Sequence, residues 1–66
     1  PHGVTLSERE REVLTLVVDA KTNKQIATRL RVSEATVKTH VSAIIAKLGV
    51  QDRVGAAVYA LQHNLV

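Results

Sequence analysis

The chain has 66 residues, a net charge of +3, no cysteine and a single aromatic ring among Phe, Trp and Tyr, that of Tyr59. That length allows one domain with one small core, which buries only about 60% of the surface the unfolded chain exposes. Without cysteine there is no disulfide framework or thiolate metal site, the apolar runs are too short to span a bilayer, and no signal peptide is recognisable, so a cytoplasmic domain is expected.

Residues 1–5 read as a tail or the end of a linker, and residues 6–66 as the domain. The first helix opens at Leu6-Ser7. Ser7 and Glu10 have the S-x-x-E spacing of a capping box, in which each side chain satisfies a backbone donor of the other residue. Val13, Leu14 and Val17 face inward, with Leu16 and Val18 at the margins, while Glu8, Arg9, Arg11 and Glu12 face water. Alternating charges on an exposed helix read as a solvated face, not an acid–base pair.

Asp19-Ala20-Lys21-Thr22 connects to a second helix, Asn23–Leu30, where Thr22 and Gln25 offer another capping box. Ile26, Ala27 and Leu30 share its inner stripe. Its free N–H groups, beside Asn23 and Lys24, suit a phosphate. Arg31-Val32-Ser33 make a short turn, and Ser33 can cap a third helix that runs to Leu48 and stops at Gly49. Two helices joined by so short a turn predict a helix-turn-helix, whose second helix enters the DNA major groove.

The third helix has two different faces. Val37, Val41, Ile44 and Leu48 form a narrow apolar stripe. Opposite lie Ala35, Thr39, Ser42 and Ala46, with Lys38 at the edge. A face meant only for water would carry long charged side chains. Short ones let a backbone approach base edges, and Thr and Ser can bond several bases. Thr36 caps or buttresses the start of this helix and can reach a phosphate. His40 either bonds a phosphate or packs on the second helix. Lys47 suits the negative end of the helix dipole and can touch the DNA backbone.

Charge is divided along the chain. Lys21, Lys24, Arg29, Arg31, Lys38 and Lys47 face one acid, Glu34, between Lys21 and Gln51, whereas the acids Glu8, Glu10, Glu12, Asp19 and Asp52 outnumber Arg9, Arg11 and Arg53 elsewhere. A positive field concentrated on the two central helices is the footprint of phosphate binding.

Asp52 caps a fourth helix of about Arg53–His63. Val54, Ala57, Val58, Leu61 and later Leu65 are assigned inward, leaving Ala56, Tyr59, Ala60 and His63 outward. Small apolar residues with one Tyr read either as plain exposure or as a two-fold dimer contact. The fold class expected is therefore all-α, a compact four-helix bundle around a central helix-turn-helix. No Gly-rich phosphate loop, triad spacing or acid–base pair is visible, so no enzyme activity and no cofactor are expected; three scattered histidines without cysteine make no metal site. A protein–protein interaction module, binding a partner helix on the short-residue face, is the alternative from another class.

The segments LSEREREVLTL from Leu6, TNKQIATRL from Thr22, VSEATVKTHVSAIIAKLGV from Val32 and DRVGAAV from Asp52 resemble the DNA-binding domain of the LuxR/NarL/FixJ/GerE group of bacterial transcription regulators. The likeness runs from about Leu6 to Leu61. It implies a four-helix fold with the third helix in the major groove, double-stranded DNA as partner and RNA polymerase as a further candidate. Residue by residue, it implies base reading by Lys38, Thr39 and Ser42. Thr22, Asn23, Lys24, Thr36, His40 and Lys47 match backbone-contact or buttressing positions, and Ser33 joins them as the cap between. The fourth helix serves dimerisation in several members, which agrees with the Ala56, Tyr59, Ala60 and His63 face. Members carry an N-terminal sensor or receiver domain, and none is expected within these 66 residues. Ala20 and Arg31 stand where the family often has Gly; a left-handed backbone there would cost about 1–2 kcal/mol each. Region 4 of bacterial sigma factors is similar over the first three helices, but the KLGV-x-D-R continuation and the fourth helix favour the regulator group.

Overall fold

A computed structural model describes residues 5–66. The tail assigned to residues 1–5 lies, apart from Thr5, outside the described residues. Four helices follow one another: α1 (Glu8–Val18), α2 (Asn23–Leu30), α3 (Glu34–Leu48) and α4 (Arg53–Gln62). No strand occurs among the described residues, and none of the helices is long and apolar enough to cross a membrane.

Both capping boxes form. The Glu10 N–H donates to Ser7 Oγ at 3.1 Å, and the Ser7 N–H donates to Glu10 Oε1 at 2.9 Å. Thr22 and Gln25 repeat the exchange at 3.1 and 2.9 Å. Ser33 caps α3 through the Thr36 N–H, and Asp52 caps α4 through the Gly55 N–H. Each cap satisfies a first-turn donor that has no partner inside its helix.

The helix ends use left-handed residues, and only one is glycine. Gly49 closes α3 at φ 68°, whereas Ala20 (φ 63°), Arg31 (φ 60°) and Asn64 (φ 55°) do so after the others. After α1, the Lys21 N–H reaches back to the Leu16 carbonyl; after α2, the Val32 N–H reaches Ala27. These bonds satisfy carbonyls the helices leave over. Ala20 and Arg31 thus both take the strained conformation their positions threatened.

The core gathers Leu6, Val13, Leu14, Leu16 and Val17 with Ile26, Ala27, Val37, Ile44, Leu48, Ala56 and Ala60. α3 is its axle, packing on α1, α2 and α4, while α1 also packs on α4. Leu16, expected at the margin, is buried, and Val41, expected in the stripe, is only half-buried.

The structure corrects the expected orientation of α4 in part: Ala57 and Leu65 pack against the core and His63 is exposed, as expected, but Val54, Ala56, Val58, Ala60 and Leu61 turn the opposite way. Ala56 and Ala60 are buried, whereas Val54 is 70% exposed, Val58 46% and Leu61 61%. Ala56 and Ala60 therefore cannot form an outward dimer face. Both faces of α4 are apolar, so periodicity finds two stripes without ranking them. Packing does the ranking. α4 packs on α1 and α3, whose Leu14, Val37 and Ile44 are fully buried, and alanines admit the close approach that valine and leucine would block. Tyr59 is half-buried at the flank and stacks on exposed His63, ring centroids 4.1 Å apart.

Candidate nucleic-acid interface

α3 shows the two faces expected of it. Val37, Ile44 and Leu48 are buried, and Ala35, Lys38, Thr39, Ser42 and Ala46 are exposed. The face opposite the buried stripe thus carries two alanines, two hydroxyls and one ammonium, with exposed Glu34, Thr36 and Lys47 toward the ends of the helix. Apart from Lys38 at its edge, this face holds only short side chains between the helix backbone and a surface brought up to it.

Of the two hydroxyls, that of Thr39 is already oriented. Thr39 Oγ1 donates to the Ala35 carbonyl at 3.1 Å, which turns its lone pairs and methyl outward. At the start of α3, Ser33 Oγ and Thr36 Oγ1 lie 2.9 Å apart and share a hydrogen bond. Both belong to one exposed polar cluster with the cap itself, so they can address an anion as a unit.

The α2 N-terminus is fixed from α4. Arg53 donates to Asn23 Oδ1 and to the Lys21 carbonyl. This orients the Asn23 amide, since its oxygen is taken and its NH₂ remains available as a donor. It also brings a guanidinium charge to the positive end of the α2 dipole. Thr22 is exposed beside it, as is Lys24. Sequence reading counted Arg53 only as a charge; its partners lie some thirty positions away, beyond any helical spacing.

Lys47 has another occupation. Its Nζ lies 2.7 Å from Glu10 Oε1, tying the last turn of α3 to the first turn of α1. The Lys47 ammonium, with the Ser7 N–H next in weight, holds the Glu10 carboxyl below the ordinary glutamate range. The ammonium expected on the DNA backbone thus has Glu10 as a partner, while its side chain stays 44% exposed. His40 is half-buried, midway between its two expected roles.

The structure therefore brings Lys38, Thr39 and Ser42 onto one surface, with Ser33 and Thr36 at the head of the same helix. It gathers Thr22, Asn23 and Lys24 at the head of α2. Ala56 and Ala60 are separated from both, inside the core. Among the described residues, no three His, Asp or Glu side chains gather as a metal site.

Comparison with known proteins points the same way. The family model for bacterial regulatory proteins, luxR family, matches residues 4–60. The transcriptional regulatory protein YhcZ of Bacillus subtilis is 53% identical over 60 residues, which cover 91% of this chain and 28% of that protein. The response regulator VraR of Staphylococcus aureus strain Mu3 is 51% identical over 61 residues, covering 92% of this chain and 29% of VraR. Among solved structures, the transcription factor GerE superposes with a TM-score of 0.85 at 38% identity, over 97% of this chain and 94% of GerE. The chain spans less than a third of the length of YhcZ and VraR.

Proposed function

The chain belongs to the luxR family of bacterial regulatory proteins and is a helix-turn-helix DNA-binding domain, and from that premise we propose that it reads a specific duplex sequence with α3 in the major groove, as a dimer on paired half-sites. The observation that carries this reading is the outer face of α3, where short side chains and one Lys are exposed along a helix whose opposite side is buried.

Lys38, Thr39 and Ser42 read bases. With its proton on the Ala35 carbonyl, Thr39 offers lone pairs to an adenine or cytosine amino group and its methyl to a thymine methyl. Thr22, Lys24 and the Asn23 amide hold one stretch of phosphate at the head of α2, and Ser33 and Thr36 hold another at the head of α3; His40 sits at the edge of that set. Such contacts fix register and supply most of the salt-dependent affinity. Lys47 stands at the edge of this set, exposed at the end of α3 and paired with Glu10.

Dimerisation falls to the other side of α4 from the one expected. Val54, Val58 and Leu61 recur at i, i+4 and i+7 and are largely exposed. A second copy of the same stripe suits them, since self-complementary faces make two-fold contacts. By this reading the domain is the effector end of a signal-responsive regulator, as its likeness to the response regulator VraR suggests.

The test is an amide NMR titration with a mixed-sequence duplex at low and moderate salt, followed by site selection. Shifts should centre on Asn23–Lys24 and Thr36–Ser42 and fade with salt. On the selected site Thr39→Ala should cost about 1–3 kcal/mol and relax preference at one position. Lys24→Ala should weaken all sequences alike and reduce the salt slope by about one unit. Equal loss on every sequence for Thr39→Ala removes it from base reading.

A further inference from the structure

α2 packs on α3, and α1 packs on α3 and α4, so the seam between the end of α1 and the outer side of α2 is left open. A cleft of about 320 Å³ occupies it, lined by Leu16, Lys21, Lys24, Gln25, Thr28 and Arg29. Leu16 is the buried member of this lining, and the others are exposed or half-buried. No residue of α3 lines the cleft, so it is separate from the reading face.

We propose that this cleft docks an acidic segment of a partner protein, with one large apolar side chain seated against Leu16 and flanking carboxylates on Lys21, Lys24 and Arg29. Three features select that occupant. The first is charge. Among the described residues the ion pairs are Arg9–Glu12 and Lys47–Glu10, so three cations line one cleft without an acid, and Arg53 adds a fourth charge where it holds the Lys21 carbonyl. The second is the apolar interior. Lys and Arg stems lie along apolar surface while their heads reach water, and together with Leu16 they give the cleft a greasy floor under a cationic rim. Phosphate alone would leave that floor wet, whereas a Leu or Phe anchor between acids uses both parts. The third is size. The volume is at the bottom of the range of about 300–1,000 Å³ seen for small-molecule sites, and the cleft is open to solvent, so it fits an anchor side chain better than an enclosed cofactor. Lys24 is shared with the phosphate contacts proposed above, so peptide and duplex compete for that one ammonium while Lys21 and Arg29 remain to the peptide.

The proposal does not depend on α3 entering the groove, and duplex binding by the same sample tests that separately. The probe is the acetylated, amidated peptide Asp-Glu-Leu-Asp-Phe-Glu-Asp, titrated into the isotope-labelled chain. One control replaces Leu and Phe by Ser, and another replaces the acids by Asn and Gln. Amide shifts should centre on Leu16, Lys21, Gln25, Thr28 and Arg29, and both controls should bind at least about fivefold more weakly. Arg29→Glu should lower affinity roughly tenfold, while Arg29→Gln gives an intermediate loss and Thr39→Ala gives none. Thermal melting of each variant shows that it is folded. Equal binding by the Ser control would reduce the effect to charge attraction and overturn the proposal. So would shifts centred on α3, or on Val54–Leu61, or no shift up to about 1 mM peptide.

Discussion

Replacing Glu10 by Gln isolates one charge at the joint between α1 and α3. The amide oxygen of Gln can still accept the Ser7 N–H, because the capping box admits either residue. What disappears is the ion pair with Lys47 and the negative charge in the first turn of α1. The pair is short, at 2.7 Å, but one-sided: the Glu10 side chain is 9% exposed and that of Lys47 44%. Screening from the lysine side limits it to about 0.5–1 kcal/mol. The first-turn carboxylate adds about 0.3–1 kcal/mol against the helix dipole. Glu10→Gln should therefore destabilise the domain by about 1–2 kcal/mol in urea unfolding followed by far-UV circular dichroism. A core of this size supplies only about 3–5 kcal/mol, so the change is large. The same experiment has a pH signature. The Glu10 carboxyl titrates lower in the folded chain than in the unfolded one, so its contribution is complete above the unfolded glutamate value of about 4.3. It is lost as pH falls through the lowered folded value. The gap between wild type and variant should thus close in acid. A double-mutant cycle with Lys47→Ala should return a coupling of about 0.5–1 kcal/mol. No gap at neutral pH, or a gap unchanged in acid, would refute the assignment of Lys47 to Glu10.

Three other substitutions test other parts of the structure. Arg31→Gly removes a side chain from a φ of 60°; relief of the left-handed strain, less the added freedom of the unfolded chain, should raise stability by about 0.5–1 kcal/mol in thermal melting. Ala60→Leu inserts bulk at a fully buried position and should cost about 1–3 kcal/mol, whereas an outward Ala60 would tolerate Leu without change. Val58→Asp should leave single half-site affinity within about twofold and abolish cooperativity on paired half-sites, measured by gel shift. A two-fold pair would bury six such residues, each worth at most about 1.5–3 kcal/mol, which is comparable with an association cost of about 4–15 kcal/mol, so paired half-sites are the sensitive place to read the loss.

The sequence alone carried the four helices and the turn between α2 and α3, because caps and periodicity act within a few residues. Ser7–Glu10, Thr22–Gln25, Ser33 and Asp52 each mark a helix start within three positions of their partners. The division of α3 was legible for the same reason: one stripe is apolar and the other is not. Ala20 and Arg31 drew notice only through the resemblance, because the family often has Gly there; of a strained backbone and a differently shaped loop, their left-handed angles select the first. The face of α4 was not legible. Both its stripes are apolar, and the choice depends on how closely α1 and α3 approach, which no local pattern encodes. The pairs Glu10–Lys47 and Arg53–Asn23 were hidden in the same way, since they join residues far apart in the chain. The cleft beside Leu16 is further still from the sequence. It exists only because α1 and α2 both pack on α3 and leave the seam between them open. Local hydrogen bonding wrote the helices into the chain. Close packing decided which sides they turn to one another, and so which residues remain free to meet a partner.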